Sequence, residues 1–254
     1  MKVIAIANQK GGCAKTTTVV NLAAAMGEQG QRVLVVDLDP QANASAWLGS
    51  DSAVNGSFRL MTSKDDIGQL IEKTETAGVS LISASRELAG LEKALAGEIA
   101  VETKLKRRLS VLDPKAWDFL LIDTPPTLGL MTLNALAAAG KLLIPVTTHV
   151  LTLSGVAQLM ATISEVRELL NPDLEILGLV PSRFDSRTRH AQEILSSLEE
   201  KFGDRVLKSH IHESIRLAEA PSFTQSILAY QSRSTAAKDY RALATEVLYL
   251  TNKP

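Results

Sequence analysis

The strongest constraint on this chain lies near its start. Residues 3–7 are continuously apolar, residues 10–17 read Lys10-Gly11-Gly12-Cys13-Ala14-Lys15-Thr16-Thr17, and residues 18–29 have helical composition. A strand, a glycine turn, a lysine–threonine pair and a helix, in that order, are the context of a phosphate-binding loop. Gly11 and Gly12 can take backbone conformations closed to other residues, so backbone N–H groups can converge on phosphate oxygens. The helix N-terminus adds its dipole. Lys15 is placed to reach the β- and γ-phosphates, and the Thr16 hydroxyl to ligate Mg²⁺. Ala14 stands where the usual pattern has glycine, and its methyl group is tolerable if φ is negative.

Further along, apolar runs of strand length at residues 32–36, 79–82, 119–122, 142–146 and 176–180 alternate with segments of helical period. Several are apolar throughout, as parallel strands covered on both faces are. Leu88, Leu91, Leu95 and Ile99 keep helical spacing, as do Leu159, Ile163, Val166 and Leu170, and later Ile194, Leu198 and Phe202. The pattern predicts an α/β fold: a doubly wound, mainly parallel sheet with helices on both faces. Residues 51–56 look like a loop rather than a linker, so residues 1–254 are expected to form a single domain.

Two carboxylate motifs follow the phosphate loop. One strand ends in Asp37-Leu38-Asp39-Pro40-Gln41, and the two aspartates, one residue apart, point to opposite faces. One can face the nucleotide, although capping of the next helix accounts for the pair equally well. The strand at residues 119–122 ends in Asp123-Thr124-Pro125-Pro126, which places a carboxylate beside a metal site.

Composition narrows the classes. The formal net charge is -1, so overall charge predicts neither nucleic-acid nor membrane binding. Aromatic residues make up 4%, so Ala, Val, Ile and Leu must carry the core. The single cysteine, Cys13, excludes an internal disulfide and suits a reducing compartment; within the loop it reads as a small packing residue. The apolar run at residues 3–7 is too short for a signal peptide or a membrane span. His149, His190, His210 and His212 are scattered, and the last two read as one face of a short strand rather than a metal pair.

Together the three motifs resemble the deviant-Walker-A ATPases, ParA and MinD, whose mark is KGGxxK[ST] with an additional lysine, here Lys10. Residues 36–41 and 122–126 are similar to the ParA versions of the later motifs. Arg216-Leu217-Ala218-Glu219-Ala220-Pro221-Ser222 resembles a C-terminal ParA signature. The resemblance runs from Lys2 to about Tyr249. It implies ATP and Mg²⁺ as cofactors and a homodimer in the ATP state, with Lys10 contacting phosphate across the interface. It implies that Lys15 and Thr16 are the loop lysine and magnesium ligand, and Thr17 a neighbouring phosphate contact. It implies that Asp39 helps position the attacking water, with Asp37 as its companion. Asp123 then acts as the carboxylate beside the metal. Departures are Cys13, Ala14 and the run His210-Ile211-His212-Glu213, where many relatives have isoleucine, proline, arginine and asparagine.

Three readings share this core: an ATP dimer on non-specific DNA, an ATP dimer on a membrane as in MinD, and a metabolic enzyme that activates a carboxylate. Tyr240, Leu243, Val247 and Leu250 make an apolar stripe with few basic residues, so docking onto the domain is expected and stable membrane association is not. DNA contacts are expected from Arg187, Arg189 and Arg216, with Arg183 nearby and Arg233, Lys238 and Arg241 downstream. The dense run 104–108 closes a helical stretch, where cations suit the helix dipole. Nine residues precede Lys10, so a sequence-reading extension is not expected. The expected function is an ATPase switch, cytoplasmic and nucleoid-associated, that positions or segregates a cargo and is discharged by a cargo-associated activator.

Overall fold

The computed structural model describes residues 1–51, 54–148 and 152–253, with side chains from residue 156 onward in the helix that begins at Thr152. His149 lies outside the described residues. Eight strands form one sheet: β1 (Lys2–Ile6), β2 (Val33–Asp37), β3 (Glu72–Lys73), β4 (Val79–Ile82), β5 (Phe119–Asp123), β6 (Lys141–Thr147), β7 (Glu175–Phe184) and β8 (Ile211–His212). Their order is β3-β4-β2-β5-β1-β6-β7-β8, and only the β3–β4 pairing is antiparallel. The helices are α1 (Lys15–Glu28), α2 (Asn43–Trp47), α3 (Gly56–Thr62), α4 (Leu91–Ala94), α5 (Lys104–Leu109), α6 (Leu130–Ala138), α7 (Thr152–Leu169), α8 (Arg189–Phe202), α9 (Ile215–Glu219), α10 (Ile227–Tyr230) and α11 (Thr235–Asn252).

Alternation along the strands divides the core into two layers. Ile4, Ile6, Val33, Val35, Phe119 and Leu121 pack with α1, α2, α10 and α11. Ala5, Leu34, Val36, Leu120, Ile122 and Ile144 pack on the other face with α3 to α8. The sheet is therefore doubly wound, with helices on both faces. All six strands expected from apolar runs are present. Edge strands β3 and β8 have two residues each, too short for a period to register.

One expected helix fails. The spacing of Leu88, Leu91, Leu95 and Ile99 predicts a continuous element, but α4 stops after a single turn. Gly97 takes φ +86° and turns the chain away, leaving Ile99 89% exposed. At the C-terminus Tyr240, Leu243 and Val247 are fully buried and Leu250 packs on the same layer. The stripe of α11 is thus spent on the protein's own core, each large apolar side chain contributing about 1.5–3 kcal/mol. Among the described residues no helix is long and apolar enough to cross a membrane.

In the sheet, β1 lies between β5 and β6, so the chain winds to both sides from it. Such a switch point opens a crevice at the carboxyl ends of the strands. The ends of β1, β2 and β5 deliver the phosphate loop, Asp37 and Asp39, and Asp123 to that edge.

Candidate active site

A cavity of about 520 Å³ opens there, lined at one end by Gly11 to Thr17, Asp39, Gln41, Asn43 and Pro126. The loop is anchored by Asn8, which accepts from the Lys10 backbone N–H at 3.1 Å and donates to the Pro145 carbonyl at 2.7 Å. In the sequence Asn8 is readable only as the residue that ends the first apolar run. Gly12 has φ +71°, the conformation its residue type permits; a methyl group on Gly11 would meet open space. Ala14, at the N-cap of α1, has φ +67°. The condition of a negative φ is not met: the residue adopts the left-handed conformation suited to glycine, at a cost of about 1–2 kcal/mol.

Lys15 is buried at 7% exposure, with Nζ 3.9 Å from the Cys13 sulfur. Burial pushes the Cys13 thiol above its ordinary value, against the opposing pull of Lys15. That suits a packing residue and not a nucleophile. Lys10 is half-buried at the loop's edge, outside the cavity lining.

The carboxylates divide by role. Thr16 Oγ1 donates to Asp123 Oδ2 at 2.7 Å, while Oδ1 of this fully buried aspartate has no hydrogen-bond partner among the described residues. Burial, then the charge of Asp37, pushes the Asp123 carboxyl well up, opposed by Thr16 and Lys15. A hydroxyl and an orphaned carboxylate oxygen are hard oxygen donors beside surplus negative charge, and they fit Mg²⁺. Asp37 sits behind the cavity wall. Its Oδ2 accepts from the Ser45 N–H at 2.9 Å and the Ser45 hydroxyl at 2.7 Å, and its Oδ1 from the Asp39 N–H at 3.0 Å. Ser45 Oγ in turn accepts from the Ala84 N–H at 2.8 Å. Asp37 therefore positions Asp39 and α2, and sequence alone did not single out Ser45. Asp39 is on the cavity lining and accepts from the Gln41 N–H at 2.9 Å. The capping alternative holds in part: both aspartates satisfy backbone donors at the turn.

At the far end the cavity is lined by Arg183, Ile211, His212, Glu213, Ser214, Leu217 and Ala218. Arg183, grouped in the sequence with the basic residues after β7, belongs to this wall. The parallel ends of β7 and β8 bring the residues after Phe184 and after His212 to one rim. Arg187 and Arg189 follow the first of these strand ends and Arg216 the second, and each has an acid beside it. Arg187 pairs with Asp185 at 2.8 Å, Arg189 with Glu193 at 2.9 Å and Arg216 with Glu219 at 2.9 Å. The Arg187 guanidinium holds the Asp185 carboxyl down at about 2. In the run 104–108, Arg107 and Arg108 donate to the carbonyls of Ala100, Leu60 and Asp65, an intramolecular use. His210 and His212 both pack on the Phe184 ring, as one face of a strand end requires. No metal-binding group of three or more His, Cys, Asp or Glu occurs among the described residues.

Comparison with known proteins extends this geometry. A family profile described as AAA domain matches residues 1–176. The chain is 43% identical over 245 residues to the chromosome-partitioning ATPase Soj of Thermus thermophilus, covering 96% of this chain and 94% of the other. It is 40% identical over 248 residues to the sporulation initiation inhibitor protein Soj of Bacillus subtilis, covering 97% and 98%. Among solved structures, cobyrinic acid a,c-diamide synthase from Mycobacterium smegmatis, with an ATP analog and magnesium bound, superposes with a TM-score of 0.88 at 36% identity. That match covers 100% of this chain and 96% of the other.

Proposed function

Because the chain belongs to the Soj and ParA family of partitioning ATPases, we propose that it is an ATP-controlled dimer that binds DNA without sequence preference and positions or segregates a cargo. The observation that carries the reading is the cluster of buried Lys15, Asp39 and Asp123 with half-buried Thr16, of which Lys15, Thr16 and Asp39 line one cavity and Asp123 accepts from Thr16.

The backbone N–H groups of the loop bind the phosphates, and the Lys15 ammonium offsets charge on the terminal ones. Thr16 and Asp123 are the residues that would hold Mg²⁺, which supplies neutralisation of phosphate charge when bound. Asp39, fixed from behind by Asp37, orients the attacking water on the open side of the cavity. Lys10, at the loop's edge, serves the partner subunit's nucleotide in this reading. Discharge by a cargo-associated activator then resets the switch.

The rim supports the DNA reading. Arg187, Arg189 and Arg216 have side chains 87%, 92% and 58% exposed, on a surface formed next to the cavity. A dimer sets two such rims side by side, and their contacts add on one duplex. Exposed ion pairs are worth at most about 1 kcal/mol, so phosphates can replace the local acids at small cost.

The test is a binding titration on two unrelated duplexes, with and without ATP, at several salt concentrations. Equal, ATP-dependent, salt-sensitive binding is expected. Absence of ATP-dependent binding at low salt removes the DNA reading and shifts weight to a membrane or metabolic role, the latter favoured by the resemblance to the diamide synthase. Sedimentation of Lys10→Ala checks the dimer: ATP-dependent association should fall more than nucleotide affinity does, and normal association would leave Lys10 as a loop-edge charge.

A further inference from the structure

We propose that the pole of the sheet opposite the nucleotide cavity carries a second anion site, a pocket among Lys2, Arg32, Lys115 and Trp117 that takes the phosphate group of a small molecule. The site stands apart from the ATPase reading, since no residue of the phosphate loop lines it.

The pocket lies where three strands begin. Lys2 opens β1 and Phe119 opens β5, and the two pair in register, while Val33 of β2 pairs with Phe119 from the other side. Asp118 stitches these starts together. Its carbonyl accepts from the Lys2 N–H at 2.9 Å, and its N–H donates to the Arg32 carbonyl at 2.9 Å. Lys115 and Trp117, from the loop before β5, and Asn252, the last residue of α11, complete a cavity of about 430 Å³. That volume suits a small ligand, and groups mounted at strand starts hold their positions better than groups on loops.

The lining carries three cationic side chains, Lys2, Arg32 and Lys115, against one carboxylate, Asp118. That carboxylate is spent within the fold. Arg32 donates to it from Nε at 3.1 Å, from Nη2 at 2.8 Å and from its backbone N–H at 2.8 Å. These bonds hold the Asp118 carboxyl down at about 2, so at neutral pH its charge is matched by Arg32. The Lys2 ammonium has neutral neighbours instead: it donates to Asn252 Oδ1 and lies 5.5 Å from the Phe119 ring centroid. The Lys115 side chain is exposed and has no hydrogen-bond or ion-pair partner among the described residues. Asp113, which accepts from the Lys115 backbone N–H at 2.9 Å, is not part of the lining. Two ammonium groups on one pocket, with no lining carboxylate left to match them, make it a positive hollow.

The neutral groups have the same polarity. Lys2 occupies Asn252 Oδ1, which leaves that side chain its N–H₂, and Gln31 brings a second carboxamide. The half-buried Trp117 indole can only donate, and its N–H has no partner among the described residues. A wall of cations and donors fits an oxyanion. A phosphate ester, with a charge of about −1.5 to −2 and three acceptor oxygens, uses more of these donors than a carboxylate does. The Trp117 ring leaves an apolar wall for the organic part of the ester.

The Trp117 indole ¹H–¹⁵N resonance, identified by its loss in Trp117→Phe, reports on the pocket. The protein is first saturated with Mg-ADP, so that the phosphate loop is filled, and then titrated with inorganic phosphate and with glycerol 3-phosphate. Both should shift the resonance saturably, whereas chloride at matched ionic strength should not. The Trp47 resonance, from a buried indole that donates to the Gln225 carbonyl at 2.7 Å, should stay in place. Lys2→Ala should weaken binding by about fivefold, the size of one partly exposed charge contact, and Lys115→Glu by about tenfold or more, since it replaces attraction by repulsion. Lys115→Arg should stay within about twofold of wild type. Circular dichroism checks each fold, and Lys115→Glu decides if Lys2→Ala is misfolded, because the Lys115 side chain holds nothing in place. A chloride response equal to that of phosphate, or phosphate affinity unmoved in Lys115→Glu, would overturn the proposal. So would a shift produced by a DNA duplex and by neither small phosphate, which would give the pocket to a polyanion.

Discussion

At the phosphate end of the cavity Lys15, Asp37, Asp39 and Asp123 are between 0% and 7% exposed, whereas Arg187, Arg189 and Arg216 on the neighbouring rim have side chains 58% to 92% exposed. The first region is rigid through buried hydrogen bonds that cross the fold, such as Asp37 to Ser45 and Ser45 to Ala84. The second is held by ion pairs between near neighbours in sequence. Removing a partner from a buried polar network leaves an unsatisfied group and costs about 1–3 kcal/mol, more for a charge. Removing a partner from an exposed pair costs little. Chemistry that needs fixed positions belongs in the first region, and reversible association with a polyanion in the second.

The contrast is broken most severely by Lys15→Ala. Loss of the buried ammonium should lower ATP turnover by about 10²–10³-fold or more, since several phosphate charges lose their main side-chain partner. Turnover and affinity at wild-type levels would mean that the cavity is not a phosphate site. Asp39→Ala should lower turnover by a comparable or somewhat smaller factor while ATP still binds, because the proposed role of Asp39 is to act on water and not on the ground-state phosphates. Sedimentation should then show a dimer persisting at saturating ATP; monomer alone would count against the role.

Arg216→Ala probes the rim. Nucleotide turnover should stay within about twofold of wild type, in keeping with the small worth of exposed pairs. DNA affinity should fall alike for all sequences, and the log–log salt slope should drop by about 0.9 for each DNA phosphate that the variant no longer neutralises. An unchanged slope would move the DNA surface elsewhere. The smallest expected effect is in the loop itself. Ala14→Gly relieves a left-handed alanine and should raise stability by about 1 kcal/mol, or roughly 2–4 °C in Tm. A lower Tm would show that the loop gains more from alanine's restriction of the unfolded chain than it loses to strain.

Much of the phosphate end is readable without coordinates. Lys15 and Thr16 open the helix that follows the glycine loop, and Asp39 and Asp123 lie just past or at strand ends; a strand end followed by a glycine loop or a terminal carboxylate is a local signal. Arg183 falls among surface cations in the sequence because its true place depends on a bulge and on Glu213, 30 residues away. Asp239 gives no signal, since only the docking of α11 brings it to His212. The helix expected through Ile99 fails because Gly97 overrides an apolar period.

The sequence by itself determined the doubly wound sheet, the phosphate loop and the carboxylates that accompany it. Their signals lie in runs of a few residues, where period and turn chemistry act locally. Only the tertiary structure decided that Ala14 is left-handed, that Asp37 stands behind Asp39, that each rim arginine has an acid beside it, and that Arg183, His212 and Glu213 line the same cavity as the phosphate loop. Those arrangements depend on strand order and helix docking. Residues far apart in sequence share one dielectric and one set of hydrogen bonds only after the chain has packed.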